Sequence, residues 1–149
     1  MKFVQFTLAG KPMAKGRVRF TRTGHAYTPE KTVAYEGQLA FAAQTAMNGR
    51  LPADGPVVVT LLVSMPIPAS WSKKKKEQAE AGFLYPTSKP DLDNFAKMLD
   101  ALNLIVWNDD SQIIDMRIIK IYSLTPQMTV SVKLADAKYF VSQLILDGH

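Results

Sequence analysis

Two short acidic clusters, Asp91-Leu92-Asp93-Asn94 and Asp109-Asp110, flank a single helical pattern in a chain whose formal net charge is +5. A basic chain has no electrostatic reason to gather carboxylates unless a cation holds them. Aspartate oxygens suit a hard divalent cation, and such a cation beside a polyanion-binding surface is suited to phosphodiester hydrolysis. Each cluster also has a plainer reading. Asp91 and Asp93 at a helix start satisfy free N–H groups and the helix dipole, and Asp109-Asp110 is ordinary turn chemistry. Pro90 holds Lys89 extended, so the helix entrance is rigid. If Asp91 and Asp93 both stay extended, their carboxylates point the same way; if the helix has begun at Leu92, they diverge. The spacing leaves both open. Lys97, four residues after Asp93, is either a surface i,i+4 partner or a cation acting at the site.

Positive charge is clustered too. Lys11, Lys15, Arg17, Arg19 and Arg22 fall between Gly10 and Thr23 with no acidic residue among them. Lys73, Lys74, Lys75 and Lys76 are consecutive, and Lys89 precedes the first acidic cluster. A lysine run is ordinarily a solvated surface, but two blocks flanking an acidic site point to phosphate binding.

The elements that must position these groups follow from periodicity. Phe3 to Leu8 alternates with Val4, Phe6 and Leu8 on one face, a strand. Gly10 to Tyr27 reads as a basic arm or loose hairpin. A helix starts at Thr28-Pro29-Glu30, where Thr28 is placed to cap, and runs to about Met47 on the stripe Tyr35, Leu39, Ala42, Ala43, Ala46; Asn48-Gly49 ends it. Val57 to Val63 is a near-continuous apolar run that fits a central strand covered on both faces. Ser70-Trp71-Ser72 and the lysines open a short exposed helix reaching Ala81. Asp91 to Asn103 carries Phe95, Met98, Leu99 and Leu102 at i, i+3, i+4, i+7, a helix about 20 Å long at 1.5 Å per residue. Ile113 to Tyr122 is a strand with Ile114, Met116 and Ile118 on its apolar face, and Gln127 to Leu134 alternates cleanly. A short helix is expected in the tail, through Phe140, Val141, Leu144 and Ile145. Trp71 and Trp107 are candidates for stacking on unpaired bases, with packing roles favoured for both. The order β-(arm)-α-β-α-β-β predicts an α+β fold, a small mixed β-sheet with helices packed on it.

A length of 149 residues, 47% hydrophobic and 21% charged, is in keeping with one globular domain spanning residues 1–149. There is no cysteine, which excludes disulfides and thiolate sites, and His25 and His149 alone support a zinc site poorly. The apolar run is too short to cross a bilayer and Met1 to Gln5 turns polar at once, so a cytoplasmic, intracellular protein is expected.

Lys89-Pro90-Asp91-Leu92-Asp93-Asn94-Phe95-Ala96-Lys97, Leu99-Asp100-Ala101-Leu102-Asn103 and Trp107-Asn108-Asp109-Asp110-Ser111-Gln112-Ile113 together resemble the signature of the RusA family of Holliday junction resolvases. Lys15-Gly16-Arg17-Val18-Arg19-Phe20-Thr21 and Ala26-Tyr27-Thr28-Pro29 are similar to the N-terminal region of such proteins. The resemblance implies a RusA-like fold and a homodimeric, magnesium-dependent endonuclease, with manganese as a possible substitute, that cuts four-way junction DNA symmetrically in recombination and repair. It places Asp91, Asp93 and Asp110 as catalytic metal ligands, Lys97 at the family's essential lysine and Asp109 as a supporting acid. DNA phosphates fall to Lys15, Arg17, Arg19, Arg22, Lys73, Lys74, Lys75, Lys76 and Lys89. Resolvases of this type are often phage-encoded. Some members carry an arginine-rich stretch directly before the Asp pair; this chain instead has the lysine run farther upstream. The alternatives are a metal nuclease for other branched or duplex DNA, and a junction-binding protein without catalysis.

Overall fold

The computed structural model describes residues 1–16 and 18–136. Arg17 and the expected tail helix lie outside the described residues. Among the described residues, six strands and three α-helices follow in the order β1 (Phe3–Ala9), β2 (Arg19–Phe20), β3 (Ala26–Tyr27), α1 (Glu30–Met47), β4 (Val57–Pro66), α2 (Lys73–Glu80), α3 (Leu92–Ala96), β5 (Ile113–Ser123) and β6 (Gln127–Leu134). A 3-10 helix, Lys97–Leu102, continues directly from α3. The main sheet is mixed, with order β1-β6-β4-β5, and β2-β3 forms a separate small hairpin in the arm. The class is α+β, as the pattern of elements implies.

Sheet order departs from chain order at one place. β5 runs parallel to β4, whereas β6 runs antiparallel to β4 on its other side. Three residues, Leu124 to Pro126, therefore carry the chain across the end of β4. Two strand spacings are about 9.6 Å, and four steps of extended chain reach about 13 Å, so the crossing is short but feasible. It is open because Ser123 already lies level with Pro66, where β4 ends.

The core lies on one face of this sheet. Val4 and Phe6 of β1, Val57, Val59, Leu61 and Val63 of β4, and Met128, Val130 and Val132 of β6 are buried against Tyr35, Leu39, Ala43 and Met47 of α1. Phe95, Met98, Leu99 and Leu102 close the same core. Each large side chain taken fully from water contributes about 1.5–3 kcal/mol before the entropy of ordering is subtracted. β4 is central, as its apolar run implies, and on its second face Val58 and Ser64 are buried while Thr60 and Leu62 are half-covered.

Three local expectations are corrected. The N-cap of α1 is Pro29, with no side-chain cap hydrogen bond, so Thr28 does not cap; proline at the entrance fixes φ and removes one of the N–H groups a cap would serve. The Asp91–Asn103 helix is two pieces, five α residues and six 3-10 residues, whose tighter winding keeps Met98, Leu99 and Leu102 all inside. In β5 the core side is taken by Ile113 and Ile118, not Ile114: Val57 pairs with Ile113 and Val58 with Asp115, so a bulge skips Ile114 and leaves it exposed. The helix stop is as read, with Asn48 at φ 49° and Gly49 at φ 79°. Arg50, unmarked by any local signal, reinforces it by donating to the carbonyls of Ala46 and Met47 and to that of Phe3 on β1.

Candidate active site

Asp91 keeps extended backbone, φ −72° and ψ 155°, and α3 begins at Leu92, so of the two open geometries the structure adopts the divergent one. Asp91 is the N-cap without a side-chain cap bond, and Asp93 sits exposed in the first turn. Lys120 of β5 fixes the approach to them: its ammonium donates to the carbonyls of Ser88 and Pro90, both at 2.9 Å. The Lys89–Pro90 peptide is cis.

The second acidic segment is delivered by a different device. After the 3-10 helix, Leu104 turns back at φ 69°, and its N–H donates to the Trp107 carbonyl at 2.6 Å. Trp107 is fully buried and its indole N–H donates to Asn103 at 2.6 Å, so it anchors the return rather than stacking on a base. Gln112 then shapes the Asp109-Asp110 turn from both ends. Its oxygen accepts from the N–H groups of Asn108 and Asp109, at 2.8 and 2.9 Å. Its amide donates to the carbonyls of Ala53 and Gly55, at 2.8 and 2.9 Å. Asp109 caps the turn by accepting from the Ser111 N–H, and the Ser111 side chain first, then that N–H, hold its carboxyl below the usual range. In this segment Trp107, Asp109 and Gln112 thus hold the chain in place, and Asp110 is left exposed.

Asp110 meets Asp100. Hydrogen bonding between the two carboxyls, then partial desolvation and the charges of Asp100 and Asp109, push the Asp110 carboxyl above its ordinary pKa. Both line a recess of about 500 Å³ together with Lys97, Asp115 and Met116. Lys97 stands one 3-10 turn before Asp100 and donates to the Asn94 side chain at 3.3 Å. A second recess, about 530 Å³, holds Asp91, Asn94, Lys89 and the arm residues Lys15 and Gly16. Asp91 and Asp110 thus line different recesses. Among the described residues, no three His, Cys, Asp or Glu side chains are gathered closely enough to hold a metal ion. The chemistry of the donor set nevertheless fits a hard divalent cation. All donors are carboxylate oxygens, and the contact between Asp100 and Asp110 is one that a cation would relieve.

The basic residues divide into two groups. Lys15 turns inward: its ammonium lies 3.4 Å from Glu36 and 3.7 Å from Asp100, and its backbone N–H donates to the Asn94 carbonyl at 3.0 Å. It is therefore an internal counter-ion that fastens the arm over the acidic segment, a position no local pattern signals. Arg19 and Arg22 extend on the exposed hairpin, Lys89 is exposed between recesses, and on α2 Lys73, Lys74 and Lys75 are exposed while Lys76 is half-buried. Ser72 caps α2 by accepting from the Lys75 N–H at 3.2 Å, and buried Ala79 seats the helix. Lys75 covers the Trp71 ring at 4.0 Å, and Trp71 meets Tyr122 edge-on at 5.2 Å. Among the described residues, no helix is long and apolar enough to cross a membrane.

The site thus combines an α+β frame, a recess shared by Asp100, Asp110 and Lys97, and exposed basic residues on the arm and α2. The sequence matches the family model for Endodeoxyribonuclease RusA over residues 9–133. It is also 39% identical over 143 residues to the uncharacterized protein YqaN of Bacillus subtilis (strain 168), covering 92% of this chain and 100% of that relative. The chain belongs to the RusA family of endodeoxyribonucleases.

Proposed function

We propose that this protein is a magnesium-dependent resolvase that cuts four-way DNA junctions by paired nicks as a homodimer. The family match supports the endonuclease activity, and the recess shared by Asp100, Asp110 and Lys97 is the observation that supports the assignment of the reacting face. Asp91, Asp93 and Asp110 are the residues that would hold the ion, which requires Asp91 and Asp110, set in different recesses in this structure, to be drawn together. Magnesium held there would supply an activated water and offset charge on the phosphate. Lys97, on the wall of the Asp110 recess, offsets phosphate charge there. Exposed Arg19, Arg22, Lys89 and the α2 lysines hold the strands against the repulsion of the carboxylates. Two equivalent sites related by a dyad match the two opposed strands that a junction requires to be cut.

The decisive assay compares a synthetic four-way junction with a linear duplex of the same sequence, in magnesium or EDTA, for wild type and Asp110→Asn. Cutting confined to the junction, dependent on magnesium and lost in Asp110→Asn with binding retained, is the expected result. Equal cutting of duplex would make the protein a nuclease of different substrate shape. Binding with no cutting in any divalent ion would make it a junction-binding protein.

A further inference from the structure

A third recess, of about 460 Å³, shares Lys89 with the one that holds Asp91 and is assigned no role by the reaction just described. Its walls are apolar and partly flat: Met65, Pro66, Ile67 and Pro68 where β4 ends, and Tyr122 of β5. Its cations are Lys11, Lys89 and Lys120, and none of the residues lining it is acidic. The walls are braced. Lys120 holds the Ser88 and Pro90 carbonyls, and the Tyr122 ring is fixed edge-on by Trp71. Because Pro90 immediately precedes Asp91, the same two hydrogen bonds also set the recess at a fixed offset from that carboxylate.

An apolar slot with aromatic and proline surfaces takes a planar ring, while lysines around it take a phosphate. A nucleotide carries both parts. Its base faces are free for such a slot only when it is unpaired and unstacked, as at the crossover of a branched DNA. We propose that this recess takes one unpaired nucleotide of the strand whose phosphate lies at Asp91, with the base against Tyr122 and the proline walls and its phosphate at Lys11 and Lys89. The proposal rests on the junction-nuclease reading and adds to it a position at which the enzyme senses an unstacked base.

The test measures junction affinity in EDTA, where no cutting occurs, with a single abasic nucleotide moved stepwise through the crossover. Wild type is expected to lose about 5- to 150-fold in affinity at one or two adjacent positions, the range for loss of one base–aromatic stack. Ala69→Phe, which puts a ring into the recess, should show a similar loss on the intact junction and no further loss on the abasic one. Tyr122→Ala is the second variant, read the same way should Ala69→Phe melt early. Equal affinity for intact and abasic junctions at every position overturns the proposal, as do losses from variant and abasic site that multiply. Failure of the nuclease reading shows separately. A wild type that discriminates abasic positions but never cuts would retain the recess and lose the catalytic assignment; one that cuts junctions without such discrimination would lose only the recess.

Discussion

At Asp110 a carboxyl faces another carboxyl, and its pKa is raised by that contact, first through the hydrogen bond with Asp100. A group whose folded pKa lies above its unfolded value favours folding most below the unfolded pKa, and that contribution is lost as pH rises through the folded value. Asp110→Asn removes the loss. In metal-free protein at pH 7 the variant should melt at a temperature equal to or above wild type, and the gap should close as pH falls below the carboxylate range. Thermal melts across that range check the sign; a variant that melts lower at pH 7 contradicts the observed contact. Magnesium should raise the melting temperature of wild type more than that of the variant. Asp109 has the opposite sign, since its carboxyl is lowered by Ser111 and its contribution fades on acidification.

Among the elements, the turn after Trp107 depends on a side chain that does no chemistry. Gln112→Leu removes four hydrogen bonds and strands the carbonyls of Ala53 and Gly55. The expected cost is about 1–3 kcal/mol in denaturant unfolding, with junction cutting reduced more than junction binding. The two basic elements should behave differently in salt. Neutralising Lys73, Lys74, Lys75 and Lys76 should flatten the plot of log affinity against log salt by about 0.9 for each DNA phosphate those ammonium groups hold. Lys15→Gln should leave that slope unchanged, because its charge is already matched by Glu36 and Asp100. A slope change for Lys15→Gln of the same size would mean that the ammonium leaves its internal partners for DNA.

Across the whole molecule, the core and the candidate site share their supports. Trp107 is fully buried and bridges Ala53 on one side and Asn103 on the other, so it ties the loop before β4 to the end of the 3-10 helix. Trp107→Ala should cost about 3–5 kcal/mol, measured by denaturant unfolding, and lower cutting through displacement of Asp110. Patterns with a short period are legible in the order of residues alone. Alternation marks β1 and β6, the spacing of Phe95, Met98, Leu99 and Leu102 marks a buried helical face, and the Asp and Lys motifs mark the candidate site and the family. Those signals depend on neighbours a few residues apart, and side-chain geometry repeats over that distance. The sheet order, the bulge at Ile114, the meeting of Asp110 with Asp100 and the inward turn of Lys15 are decided only in three dimensions. Each depends on how separate segments pack against one another, and no local period encodes which partner a carboxylate or an ammonium will find.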